Sequence, residues 1–137
     1  FRLPGIYGPG PRNQLSALKA GRARRIIKPD QVFNRIHVED LVAAVLASMA
    51  RPGGSAVFNI ADDEPAPADE IVRYAAELLA IEPPPEEPWE AAGMSELGRR
   101  FYSECKRVRN DRIKDELGVE LRYPTYREGL KALAESL

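Results

Sequence analysis

The chain has 137 residues, enough for one domain with a core, and its 44% apolar and 30% charged content is that of an ordinary globular protein. Twenty basic against 21 acidic residues leave a formal charge of −1, so no global field favours nucleic acid or an anionic membrane surface. A single cysteine, Cys105, excludes an internal disulfide; with no apolar run of membrane-spanning length and no signal peptide, a cytoplasmic protein is expected.

Phe1-Arg2-Leu3 reads as the end of a buried strand. A strand beginning at residue 1, without an initiator methionine, leads us to expect the C-terminal fragment of a longer polypeptide, spanning 1–137 as one unit. Pro4-Gly5 should break that strand, and Tyr7-Gly8-Pro9-Gly10-Pro11 should break the chain again. Three glycines and three prolines in the first eleven residues suit either a rigid turn or a backbone that approaches a ligand closely. Asn13–Ala20 suits a short helix with Leu15 and Leu18 inward and Gly21 as its C-cap. The basic run Arg22–Lys28 admits an anion site or a solvated edge strand, and the balanced net charge favours the strand.

Phe33–Met49 organises the chain. Its first half alternates, with Phe33, Arg35 and His37 on one side and Asn34, Ile36 and Val38 on the other, the period of a short strand. The period then lengthens: Leu41, Val42, Val45, Leu46 and Met49 recur at helical spacing, with alanines between them and Glu39 and Asp40 in the first turn. A buried helix starting sharply after a strand is expected, with His37 at the junction, where α/β folds place their ligands. A stop at Arg51–Gly54 precedes an apolar strand at Ala56–Ile60. Pro67–Ala80 reads as a helix with Ile71, Tyr74, Ala75, Leu78 and Leu79 on its apolar face. Strand–helix–strand–helix order between 33 and 80 implies parallel connections and an α/β layer.

Residues 82–90 carry four prolines and read as an extended surface connector ending at a packed Trp89. Ala91–Phe101 is expected as a helix with Met94, Leu97 and Phe101 on one side. Asn110 should cap a short helix, Asp111–Leu117, closed by Gly118, and Tyr126–Leu137 a last helix with a Leu130, Leu133, Leu137 stripe.

The chemistry is sparse. One histidine and one cysteine at unrelated positions make no metal site. His37 has the chemistry of an acid or base, yet a lone histidine at such a junction more often bonds backbone groups. Cys105, beside Lys106 and Arg107, lacks a partner that would make it catalytic. There is no glycine fingerprint for a dinucleotide, and no catalytic residue is assigned within the chain.

Four stretches in order resemble the extended short-chain dehydrogenases/reductases, the NAD-dependent epimerase/dehydratase family. They are Arg2-Leu3-Pro4-Gly5-Ile6-Tyr7-Gly8-Pro9-Gly10, Ile36-His37-Val38-Glu39-Asp40-Leu41, Val57-Phe58-Asn59-Ile60, and Leu117-Gly118 followed by Tyr123-Pro124-Thr125-Tyr126-Arg127-Glu128-Gly129-Leu130. The resemblance implies the C-terminal portion of a Rossmann-like α/β fold: the last parallel strands interleaved with a small mixed α/β substrate domain. It implies NAD or NADP in the intact parent and none on the isolated chain, because the fingerprint, the catalytic Ser/Thr and the Tyr-Lys pair would all lie upstream. It further implies that Leu3, Pro4, Gly5 and Ile6 face the nicotinamide end, that Tyr7 and Arg12 border a small-molecule substrate, and that His37 starts the helix linking the domains. Nucleoside-diphosphate-sugar epimerases are the members most similar, with a sugar nucleotide as the implied substrate and a homodimer as a compatible assembly. One departure stands out. Where sugar-nucleotide members carry an arginine for the diphosphate, this sequence has Phe33; Arg35, two residues on, is placed by strand alternation on the same side.

The resemblance therefore implies the substrate-binding part of an NAD(P)-dependent oxidoreductase or epimerase. A non-catalytic dinucleotide-sensing protein on the same fold is the alternative, since fold does not settle function. A complete small interaction domain is a third reading, disfavoured by the abrupt start.

Overall fold

A computed structural model describes residues 1–51, 53 and 56–137. The alternation at 33–38 becomes strand β3 (Arg35–His37), which runs straight into helix α2 (Val38–Met49). The junction is closed by His37 itself, in extended conformation as the N-cap, its Nδ1 accepting the Glu39 amide at 3.1 Å. Pro4-Gly5 does not end the first extended segment: Gly5–Tyr7 forms β1, parallel to β3, with Gly5 opposite Arg35 and Tyr7 opposite His37. The lost proline N–H costs nothing there, because Pro4 lies outside the ladder. Upstream, Arg2 pairs in parallel with Asn59: its amide donates to Phe58 O at 2.9 Å, and its carbonyl accepts from Ile60 at 3.1 Å. The first segment thus pairs with both strands of a β3–α2–(57–60) crossover, the parallel α/β arrangement expected from the element order. The expected strand at 56–60 is reduced to this single bridge. The stop expected at 51–54 falls partly outside the described residues, at Pro52 and Gly54.

The apolar residues gather in two cores. Ile36 joins Ala44 of α2, Phe58, Ile60, Ile113 and Val119. The other core is built by Leu15 of helix α1 (Gln14–Lys19), Ile71 and Ala75 of α3 (Ala68–Leu78), and Tyr126, Leu130 and Leu133 of α6 (Tyr126–Glu135), with Tyr7 packed against it. Thr125 and Glu128 cap α6 reciprocally, with the Thr125 amide donating to Glu128 at 2.9 Å. Asn13 caps α1 by accepting the Ser16 amide at 2.9 Å, and Gly21, at φ 69°, turns the chain out of that helix.

Four expectations change. Helix α2 is not buried: Asp40 and Ala44 are its fully buried residues, while Val42, Leu46 and Met49 are 50%, 58% and 76% exposed. Its apolar pattern wraps more of the helix than the chain covers. The proline-rich segment is no free connector. Glu86–Pro88 forms β4, parallel to β2 (Arg25–Ile27), because the intervening glutamates present backbone to that strand and carboxylates to its arginines. Arg25, nearly buried, donates to Asp69 at 2.6 Å and Glu86 at 3.2 Å, and Arg24 donates to Glu87 at 2.8 Å, so these two cations are neutralised by partners. Between 89 and 103 a single tight turn, Trp89–Ala91, precedes α4 (Glu96–Ser103), which starts at Ser95 because that hydroxyl accepts the Gly98 amide at 3.1 Å. Leu97 and Phe101 of α4 are exposed rather than packed. Finally, Asn110 precedes α5 (Asp111–Asp115) but does not cap it. Its amide donates to Ala61 O at 2.9 Å and Asp63 Oδ1 at 2.8 Å instead, and Leu137 stays exposed beyond α6.

Candidate functional site

A cavity of about 490 Å³ opens over β1 and the entry to β3, walled by α1, α3, α4 and α6. That volume lies in the range of small-molecule sites. Gly5, Ile6 and Tyr7 form its floor, Arg12 and Asn13 come from the loop before α1, and Phe33 and Arg35 come from the lead-in to β3. Tyr126 and Leu130 reach in from α6.

The structure therefore brings together five residues singled out from the sequence: Gly5, Ile6, Tyr7, Arg12 and Arg35. Leu3 and Pro4 do not line the cavity; Leu3 is exposed ahead of β1. His37 does not line it either. It lies at the exit of β3, buried between Tyr7, edge-on at 5.2 Å, and Tyr123 at 4.1 Å, and burial pushes its pKa down. With Nδ1 accepting a backbone amide, this neutral imidazole works as a cap.

Behind the floor lies a cluster that the sequence did not announce. Asp62 is buried, its amide donates to Arg35 O at 2.8 Å, and its Oδ1 accepts the Glu64 amide at 3.1 Å. Burial pushes its pKa up to about 7, against the opposing pull of Arg35. The Arg35 guanidinium donates to Ala66 O at 3.2 Å, sits 5.9 Å from the Tyr126 ring, and has its pKa lowered by burial. The Tyr7 hydroxyl, one guanidinium nitrogen of Arg35 and one Asp62 oxygen are buried without partners among the described residues. Tyr7 is wedged against α6, where a Cβ on Gly129 would collide with its phenol. A run of Asp62-Asp63-Glu64 after an apolar segment gives no periodic signal that its first member turns inward.

Among the described residues no group of three or more His, Cys, Asp or Glu side chains is placed to hold a metal. No described helix is long and apolar enough to cross a membrane.

Parallel strands joined by a helical crossover, with a ligand-sized cavity beside them, define the C-terminal part of a Rossmann-type, extended short-chain dehydrogenase/reductase fold. No protein-family model matches the chain. A solved structure of a functionally unknown conserved protein from Silicibacter pomeroyi is 55% identical, with a TM-score of 0.91 over 99% of this chain and 47% of its own. A 3-diazoavenalumate denitrifying reductase from a Streptomyces species is 31% identical over 139 residues, 95% of this chain and 45% of the reductase. MoeE5, solved in complex with UDP-glucuronic acid and NAD, is 26% identical with a TM-score of 0.73 over 98% of this chain and 44% of its own. Its structural neighbours are members of the NAD-dependent epimerase/dehydratase family, and the chain corresponds to their C-terminal part. It spans about half the length of the relatives it matches.

Proposed function

We propose that this chain is the substrate-side part of an NAD(P)-dependent oxidoreductase or epimerase, the C-terminal portion of a longer cytoplasmic polypeptide, and inactive by itself. The observation that carries the reading is a cavity with cationic and apolar walls but no acid–base machinery of its own. Its lining holds no lysine, and burial raises the pKa of both its tyrosines, Tyr7 and Tyr126, the wrong direction for a phenol that must ionise. Binding and orientation are what remain for these residues to do. Tyr7, Arg12 and Arg35 hold the substrate, and His37 acts on it only through the position of Tyr7.

The segment Leu3–Ile6 suits the nicotinamide end of the cofactor. Leu3 and Ile6 offer exposed apolar surface on either side of Pro4 and a glycine whose missing side chain leaves room. When bound, NAD(P) supplies the redox chemistry; this chain's residues bind and orient. The pyrophosphate-holding strand–helix turn is not among them. Calorimetry of the full-length polypeptide is expected to show micromolar NADPH or NADH binding, and the 137-residue chain alone none. Micromolar binding by the chain alone, or its absence from the full-length polypeptide, overturns the reading.

A further inference from the structure

We infer that the cavity accepts a flat, largely apolar ring system bearing a single anionic group, an aryl carboxylate in its simplest form, and not a sugar diphosphate. This rests on the cavity being the substrate site and adds the class of substrate.

The first argument is the wall. Ile6, Phe33, Ile71, Phe101, Tyr126 and Leu130 surround most of the space. Two of the aromatic rings are held in place by neighbours. Phe33 stands edge-on to Tyr102 at 5.0 Å and 74°, and its backbone is clamped to Ala66 by bonds of 3.0 and 3.1 Å. Tyr126 stands edge-on to Tyr74 at 5.7 Å and 78°. Fixed rings favour a planar guest, which stacks or packs edge-to-face at little entropic cost.

The second argument is charge. Arg12 and Arg35 are the cations of the lining. Arg35 is held down in the wall, donating to Ala66 O at 3.2 Å with its guanidinium 5.9 Å from the Tyr126 ring. Arg12 is exposed at the mouth and makes no ion pair among the described residues. A single exposed cation at the rim of an apolar wall matches one negative charge on a ring. A diphosphate would bring two charges into a space whose wall is mostly apolar, where their desolvation is repaid less fully.

Titration of the full-length polypeptide with 2-naphthoate, 2-naphthalenemethanol and UDP-glucose, with and without NADPH, tests this. 2-Naphthoate is expected to bind at least about tenfold more tightly than UDP-glucose and roughly tenfold more tightly than the alcohol. Arg12→Gln, at an exposed position, should abolish the preference for carboxylate over alcohol and leave the alcohol's affinity unchanged. Phe33→Leu, which keeps the wall apolar, should weaken both naphthyl probes several-fold. UDP-glucose binding as tightly as 2-naphthoate, or no naphthyl binding, overturns the inference. NADPH binding is read in the same titrations. NADPH bound with UDP-glucose preferred defeats the substrate class alone, whereas 2-naphthoate bound without NADPH binding defeats the nicotinamide-enzyme reading and leaves the substrate class standing.

Discussion

At the scale of single residues, Asp62 is the most consequential side chain in the molecule. A carboxyl group buried beside a guanidinium would ordinarily ionise readily, but here desolvation outweighs Arg35, and the neighbouring Asp63 and Glu64 push the same way. With a pKa of about 7 against 3.8 in the unfolded chain, the folded protein holds a proton that the unfolded one releases. Between those values unfolding therefore sheds a proton, so the stability contributed by this group falls as pH rises from about 4 and levels off above about 7. Burial of His37 works in the opposite sense, costing stability as pH falls below its ordinary range. The two are separated by substitution. Asp62→Asn keeps an oxygen to accept the Glu64 amide and removes the titration. Urea denaturation should show it near wild type at pH 4.5 and more stable by on the order of 2 kcal/mol at pH 8. An equal difference at both pH values would show that Asp62 ionises normally in the fold.

Among the elements, α2 shows what sequence pattern carries and what it does not. Its boundaries follow from the change of period at Val38 and from the acidic first turn, both legible in the residues. Asp40 looked like a partner for the helix dipole, yet it is fully buried and its two oxygens accept the amides of Arg122 at 2.8 Å and Tyr123 at 2.9 Å. It joins α2 to a loop 82 residues away, a contact of a kind that spacing cannot reveal. Asp40→Ala should leave both amides buried without acceptors and cost about 2–4 kcal/mol, measured by thermal or urea unfolding. A loss below 1 kcal/mol would mean that water replaces the carboxylate. The same limit explains the other discrepancies. Proline content read as a surface connector at 82–90, but Arg25–Ile27, distant in sequence, supplies a partner strand, and Arg24 and Arg25 pair with the connector's glutamates. The cavity was legible at Tyr7, Arg12 and Arg35, which lie in or next to the family-like stretches. Tyr126 as a wall and Asp62 as a buried neighbour emerge only when α6 and the 61–64 turn fold back onto β3.

For the molecule as a whole, the decisive feature is apolar surface with no other described residue upon it. Val42, Leu46 and Met49 on one side of α2, with Phe1, Leu3 and Val57 about the parallel strands, are all about half exposed or more. Scattered apolar residues on a surface are ordinary, but a helix face whose sequence is patterned for burial and then left open is not. Together with the match to roughly half of longer relatives, this surface fits a docking face for the remainder of a larger fold. The 137-residue chain expressed alone should therefore self-associate and bind a hydrophobic dye. Leu46→Lys with Met49→Lys should shift it towards monomer in sedimentation at a cost within about 0.5 kcal/mol, since neither side chain supports the chain's own cores. In the full-length polypeptide the same pair should be costly, because burying two lysines without partners carries a desolvation penalty of several kcal/mol. Equal tolerance in both contexts would show that the α2 face is free in the intact protein as well, and the docking account would fail.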